Sequence, residues 1–351
     1  MAESARLARL RLTRVQTMAL TALVPVVGAL VYMGEASPGT PVALSDDLFP
    51  LALLFITGCL FHVFGFVLNE WADLDVDRAS RDLTDKPLVA GVISGREALA
   101  IAVGAAIASF VPLALVTQDP WAFILLGLAI TAGAVYDLYG KRVPLDIVLA
   151  GSLTLLLLMG VVASGKFDPV SQPHVIILIC LASLQFLQNL FQNAIEGGMK
   201  DADHDAAAGA RTFAAMLGVH VEDGDLVMGR GFLVSGIAIK TVGLGVLAFT
   251  VAYLVDPADL LVTGTVVALV ALFAIVMTLT MARFLRRRVR FDRSELKRTF
   301  SIHEMATFAA TMAAFIPLIG LVAFGTVLLL PVLWFAVANK VLFGRALEPG
   351  V

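Results

Sequence analysis

The stretch NEWADLDVDRASRDLTDKP, Asn69 to Pro87, places Glu70, Asp73, Asp75, Asp77, Asp82 and Asp85 directly after the apolar run LALLFITGCLFHVFGFVL. If the helix of that run continues past Asn69, then Asn69, Asp73 and Asp77 recur at i, i+4 and i+8 and share one face, with Glu70 and Asp75 pointing elsewhere. Far along the chain, EGGMKDADHDAAAGARTFAAMLG sets Asp201 and Asp205 four apart, behind Gly197 and Gly198, which loosen the helix before them. Like charges stacked one turn apart disfavour a helix unless a cation lies between them. All-oxygen carboxylate sets suit Mg²⁺, a hard ion that keeps waters and shares its shell with substrate phosphates. Two acidic pairs on one side of a membrane therefore point to two Mg²⁺ ions gripping a diphosphate. Single acids in such loops are ordinarily solvated surface, and Asp75, Asp82, Asp85 and Asp203 are read that way.

The elements that must position these residues are membrane spans. The chain has 351 residues, 59% of them hydrophobic, and its mean hydropathy of +0.90 excludes the pair of soluble domains that length alone would suggest. Runs of about 20 apolar residues are long enough to cross a hydrocarbon core as helix. They fall at 15–33, 50–69, 97–117, 121–137, 145–164, 174–195, 231–255, 258–282 and 304–324, with an extra one interrupted by Pro331 at 327–343. The expected fold is all-α, a polytopic helical membrane bundle of about nine spans. A single transmembrane domain covers 15–343, between a segment 1–14 and a tail 344–351. Turn residues around Ala36 to Pro41, and Asp-Pro at 119–120 and 168–169, mark short outer loops.

Lys and Arg near span ends are retained in the cytoplasm. Arg6, Arg9, Arg11 and Arg14 precede the first span, and alternate loops carry Arg78, Arg81, Lys86 and Arg96, then Lys141 and Arg142, then Lys200 and Arg211, then RFLRRRVRFDRSELKR. The N-terminus and both acidic loops are thus expected inside, and the first span reads as a retained helix rather than a cleaved leader. The arginine-rich loop reads as an anchor on anionic lipid. Cys59 and Cys180 both fall within spans, which implies no disulfide framework. No P-loop, no dinucleotide-binding glycine motif and no heme or zinc spacing is present, and nothing points to nucleic acid.

These motifs resemble the UbiA superfamily of intramembrane prenyltransferases. Its first motif, N-D-x-x-D-x-x-x-D, is matched by Asn69, Glu70, Asp73 and Asp77. Its second, D-x-x-x-D followed by Gly and Thr, is matched by Asp201, Asp205, Gly209 and Thr212, closing on Gly218. The family's basic-Pro-Leu segment corresponds to Lys86, Pro87, Leu88 and Gly91, and its Tyr-to-Lys element to Tyr136 or Tyr139 leading into Lys141. The resemblance runs from about 15 to 325 in order and spacing. Glu70 departs from the usual Asp, and Lys86 stands where Arg is common, keeping charge but losing bidentate phosphate geometry.

The resemblance implies that a polyprenyl diphosphate, such as geranylgeranyl or farnesyl diphosphate, loses diphosphate while its allylic carbon is captured by a hydrophobic acceptor. Asp73, Asp77, Asp201 and Asp205 are then the metal ligands, with Asn69 completing the first set. Lys86, Lys141 and Lys200 are diphosphate clamps. Intramembrane polar groups normally face the bundle interior. Gln185, Asn189 and Asn193 therefore line a helix face leading to the second motif, His62 sits on the first motif's face, and Lys240 lies well inside the seventh span. For each of these, helix-to-helix hydrogen bonding competes with substrate contact. Family acceptors include hydroxybenzoate-like aromatics, quinone precursors, tetrapyrroles, a sugar phosphate and prenylated glycerol phosphate. The second motif looks closer to members acting on glycerol-phosphate ethers or chlorophyll-type acceptors. A terpene cyclase on the same fold and a cation-coupled transporter are the rival readings, and a homo-oligomer is left open.

Overall fold

The computed structural model describes residues 5–35, 44–79, 84, 86–344 and 346. Arg81, Asp82, Asp85, the 36–41 turn and most of the tail lie outside the described residues. A short α1 (Ala5–Leu12) and a 3-10 turn (Val15–Thr17) lead into α2 (Met18–Glu35), followed by α3 (Leu44–Ala72) and α4 (Leu74–Ala79). Next come α5 (Gly95–Ala108), α6 (Phe110–Val116), α7 (Pro120–Tyr139), α8 (Asp146–Ala163) and α9 (Gln172–Phe191). A π-turn (Gln192–Gly197) then joins α9 to α10 (Gly198–Lys200), α11 (Ala202–Ala208) and α12 (Phe213–Met216). The chain ends through α13 (Arg230–Leu254), α14 (Leu260–Phe284), α15 (Arg293–Ala314) and α16 (Ile316–Phe343).

Nine described helical stretches are long and apolar enough to cross a membrane, and the protein is an integral membrane protein. α15 is comparably long but opens on Arg293, Glu295, Lys297 and Arg298. The expected boundary between the last two spans is corrected. α15 gives way at Phe315, and the chain turns at Gly320, whose φ of 76° breaks the helical path, while Pro331 lies inside α16 without ending it. A Cβ at Gly34, near the end of α2, would strike the Leu318 carbonyl. At the other end Trp334 Nε1 donates to Val15 O at 2.6 Å, and the Arg11 guanidinium sits over the Phe343 ring. α16 therefore runs antiparallel to α2 and returns to the side from which α2 starts.

Contact between backbones sets the pairing of α2 with α8. A Cβ on Gly160 of α8 would collide with the Pro25 carbonyl of α2, and one on Gly28 with the Leu157 carbonyl of α8, the small-residue interface expected where lipid offers no hydrophobic drive to association. The larger apolar core joins α2, α3, α5, α7, α8 and α16. A smaller one, including Phe191, Ile195, Met199, Phe232, Phe284 and Phe300, lies around the second acidic motif.

One element was not anticipated. β1 (His220–Glu222), β2 (Asp225–Val227) and β3 (Arg288–Arg290) form a small antiparallel sheet in the order β1-β2-β3. Its hairpin turns on Asp223 and Gly224, with φ of 52° and 81°, the doubly positive pair that an Asp-Gly dipeptide supplies.

Candidate active site

The first motif keeps helical spacing across the end of α3. Asp73 N donates to Asn69 O at 2.9 Å and Asp77 N to Asp73 O at 2.8 Å, so Asn69, Asp73 and Asp77 share a face. The second motif repeats this, with Asp201 N on Gly197 O at 3.0 Å and Asp205 N on Asp201 O at 2.8 Å. Between α9 and this segment the π-turn carries Asn193 and Glu196, widening the helix just where the two glycines were expected to loosen it.

The two motifs meet around shared cations. Lys141, in the loop between α7 and α8, donates to Asp205 Oδ1 at 2.7 Å and also faces Asp73 and Asp201. Arg14 pairs with Glu70 and faces both Asp77 and Asp201. Lys86 closes the first motif, 2.7 Å from Asp77 Oδ2 and 3.0 Å from Glu70 Oε2. Thr212 Oγ1 adds a hydrogen bond to Asp205 Oδ2 at 3.1 Å, and Lys200 stands 3.6 Å from Asp201. Asn69 donates to the buried Asp137 at 3.4 Å.

Charge follows this geometry. Burial, with Asp77 and Glu70 nearby, pushes the Asp73 carboxyl up to about 6 despite Lys141 and Lys86. Burial also pushes Asp201 upward, but Lys200, Lys141, Arg293 and Arg14 outweigh it and hold that carboxyl below its usual range. Lys141 loses solvation on burial, yet Asp205, Asp73 and Asp201 keep it above the ordinary lysine range.

Two sequence expectations are corrected here. Glu70 does not point elsewhere: it is buried and bound by Arg14 and Lys86. Asp203 is not free surface but is held by Arg293. Asp75 is exposed beside Arg78, as expected.

Tyr136 joins the second motif's helix, its hydroxyl donating to Asn193 Oδ1 at 3.0 Å while Asn193 Nδ2 donates to Asp146 at 2.7 Å. Tyr139 is exposed and stands apart. Asn189 is buried and donates to Gln185 O of its own helix. His62 is buried, with Nδ1 on Thr21 Oγ1 and Nε2 facing the carbonyls of Thr13 and Arg14. It braces the chain where Arg14 adopts a left-handed φ of 46°. Lys240 donates to Gln188 and Thr307 and lies over the Phe191 ring, deeper in the bundle than the acidic motifs. Sequence reasoning missed Arg14, Asp137, Asp146 and Arg293 as members of this network. Arg14 lies 56 positions from Glu70, and no local spacing signals such a pair.

Among the described residues no three carboxylate, histidine or cysteine side chains already converge as a metal cage. Asp77 and Asp205 instead each hold a lysine ammonium. The donor set still fits a hard divalent ion whose remaining ligands are water and diphosphate oxygens.

Fold and site together define an integral membrane enzyme. The sequence model of the UbiA prenyltransferase family matches residues 22–255, and the chain belongs to that family. Over 212 residues it is 28% identical to the digeranylgeranylglyceryl phosphate synthase of Methanoculleus marisnigri, covering 60% of this chain and 68% of the relative. A shorter match, 44% identical over 62 residues, covers 17% of this chain and 22% of the 4-hydroxybenzoate octaprenyltransferase of Burkholderia lata. A solved UbiA homolog from Aeropyrum pernix K1 matches 90% of this chain and 98% of its own length, with a TM-score of 0.63 at 21% identity. A UbiA homolog from Archaeoglobus fulgidus bound to GPP and Mg²⁺ matches 87% and 99%, with a TM-score of 0.58 at 18% identity. The protein is a prenyltransferase.

Proposed function

We propose that the chain transfers a polyprenyl group from a polyprenyl diphosphate to the hydroxyl of a lipid alcohol, a prenylglycerol phosphate, on the cytoplasmic face of the membrane. The observation that carries this is the meeting of the two acidic motifs around Lys141 and Arg14, at the mouth of an apolar helical bundle. The similarity to a digeranylgeranylglyceryl phosphate synthase supports the acceptor, and the basic residues at the vestibule end of the helices support the orientation.

Asn69, Asp73 and Asp77 on one side, and Asp201 and Asp205 on the other, are the groups that would hold two Mg²⁺ ions. When bound, these ions neutralise the charge that grows on the departing diphosphate. Lys86, Lys141 and Arg14 then exchange their carboxylate partners for diphosphate oxygens, which they bind most strongly where water is scarce. The bond from the allylic carbon to the diphosphate oxygen breaks with both electrons leaving on the diphosphate. The acceptor oxygen bonds that carbon and releases its proton. Apolar helices below the site exclude the water that would otherwise capture the allylic cation.

The test is incubation of the purified protein in liposomes with geranylgeranyl or farnesyl diphosphate, Mg²⁺, and either a prenylglycerol phosphate or a hydroxybenzoate, read by mass spectrometry. Ether formation with the glycerol phosphate is the expected result. A cyclised hydrocarbon formed without acceptor, or full activity in excess chelator, would overturn the reading.

A further inference from the structure

Beside Asp201 stands a basic group that the first motif's charge network does not use. Arg293 and Lys297 lie one turn apart on the same face of α15, and Arg293 Nε is 3.2 Å from the Lys200 carbonyl, which sets the start of α15 against the end of α10. Lys297 faces Lys200, Arg293 and Arg14, with Asp201 as its acidic neighbour. Arg293 is engaged by Asp203 and His204, and Arg14 by Glu70. Lys297 is half-buried, and its ammonium makes no hydrogen bond or ion pair among the described residues.

A lysine that served only to anchor the loop would extend into water or headgroups, as the exposed Arg286, Arg287, Arg290 and Arg298 do. Lys297 instead turns inward, and a half-buried ammonium crowded by like charges is costly until an anion joins it. The diphosphate already has Lys86, Lys141 and Arg14. We propose that Lys297, with Lys200 and Arg293 beside it, forms an anion subsite that binds the phosphomonoester headgroup of the acceptor and sets its specificity. This rests on the prenyl-transfer reading above. It removes Lys200 from the diphosphate clamp expected from sequence and places it where the two substrates meet.

The test compares initial rates of the full-length enzyme in liposomes, using geranylgeranylglycerol phosphate and its dephosphorylated alcohol as acceptors. Lys297→Gln is expected to raise KM for the phosphate-bearing acceptor by about tenfold, the loss of one charge-assisted hydrogen bond. Lys297→Glu raises it further, and Lys297→Arg recovers most of it. KM for the prenyl diphosphate and for the neutral alcohol stay in place. A matching rise in the diphosphate KM would assign Lys297 to the donor and overturn the proposal. A response only to the phosphatidylglycerol content of the liposomes would assign it to the bilayer surface and overturn it as well. The thermal upshift produced by the phosphate lipid is measured in parallel, because it needs no turnover. An upshift that Lys297→Glu abolishes supports the subsite even if no ether forms, in which case the transfer reading alone fails. An upshift that survives Lys297→Glu sinks the subsite alone.

Discussion

At the first acidic motif α3 runs from the apolar core into Asp73 and Asp77 with its hydrogen-bond spacing nearly unbroken, and Glu70 and Asp77 are closed by Arg14 and Lys86. At the second, the helix widens into a π-turn, Asp205 is held by Lys141 before α8, and Asp201 is paired by Lys200 with Arg293 of α15 nearby. Asp77 is therefore paired by Lys86, nine positions away, with Arg14 reaching Glu70 from 56 positions off, whereas Asp205 takes its cation from Lys141, 64 positions away, once α7, α8 and α11 have packed. The same D-x-x-x-D device thus has its last aspartate paired by a near neighbour in sequence in one setting and by a residue brought in by the tertiary fold in the other.

The comparison breaks if the two motifs are not equally needed. Asp73→Ala and Asp201→Ala should each reduce turnover by at least about 10³-fold, the scale of losing a group that stabilises departing charge, with size-exclusion profiles unchanged. Substantial activity in one of them would show that a single motif suffices.

Next in size is a difference in stability. Lys86→Ala strips two buried carboxylates of a shared partner and should cost about 3 kcal/mol by denaturant titration. Lys141→Ala exposes one carboxylate still bonded to Thr212 and should cost less, while lowering kcat more. Equal stability losses would erase the contrast between local and tertiary neutralisation.

The pH response sharpens it further. Since the Asp73 carboxyl is pushed up to about 6, the folded, metal-free state holds its proton to higher pH than the unfolded chain. Its stability should fall as pH rises from about 4 to about 6. Protons should likewise compete with Mg²⁺ below about pH 6, so the Mg²⁺ concentration for half-maximal rate rises there. Asp201, held low, adds nothing in that window, and a Mg²⁺ requirement flat from pH 5 to 8 would contradict the assignment. Smallest of all, Arg288→Ala at the exposed ion pair with Asp225 should leave the melting temperature unchanged.

Much of this was legible in the sequence, because helical periodicity and apolar run length are local properties. Asn69, Asp73 and Asp77, and again Asp201 and Asp205, were placed correctly on shared faces by counting residues. The expected closing turn lies too far along because apolar composition continues through both arms; the helix breaks at Phe315, and Gly320 adds a positive φ. A helical wheel turns Glu70 away from the Asn69–Asp73–Asp77 face because it does not show a cation arriving from another segment. Arg14 arrives that way, held by His62 on its backbone carbonyl and by the left-handed bend. The sheet was signalled by Asp223 and Gly224 but obscured by the surrounding membrane pattern.

The widened turn at Gln192–Gly197 also sets a phase. One extra residue accommodated within a helix rotates everything beyond it by about 100° relative to an uninterrupted α-helix. Asp201 and Asp205 owe their aim to that offset: the chain before the turn faces its packing partners on one azimuth and the aspartates face Lys141 on another. Deleting a single residue there would keep both aspartates in the chain and swing them out of line.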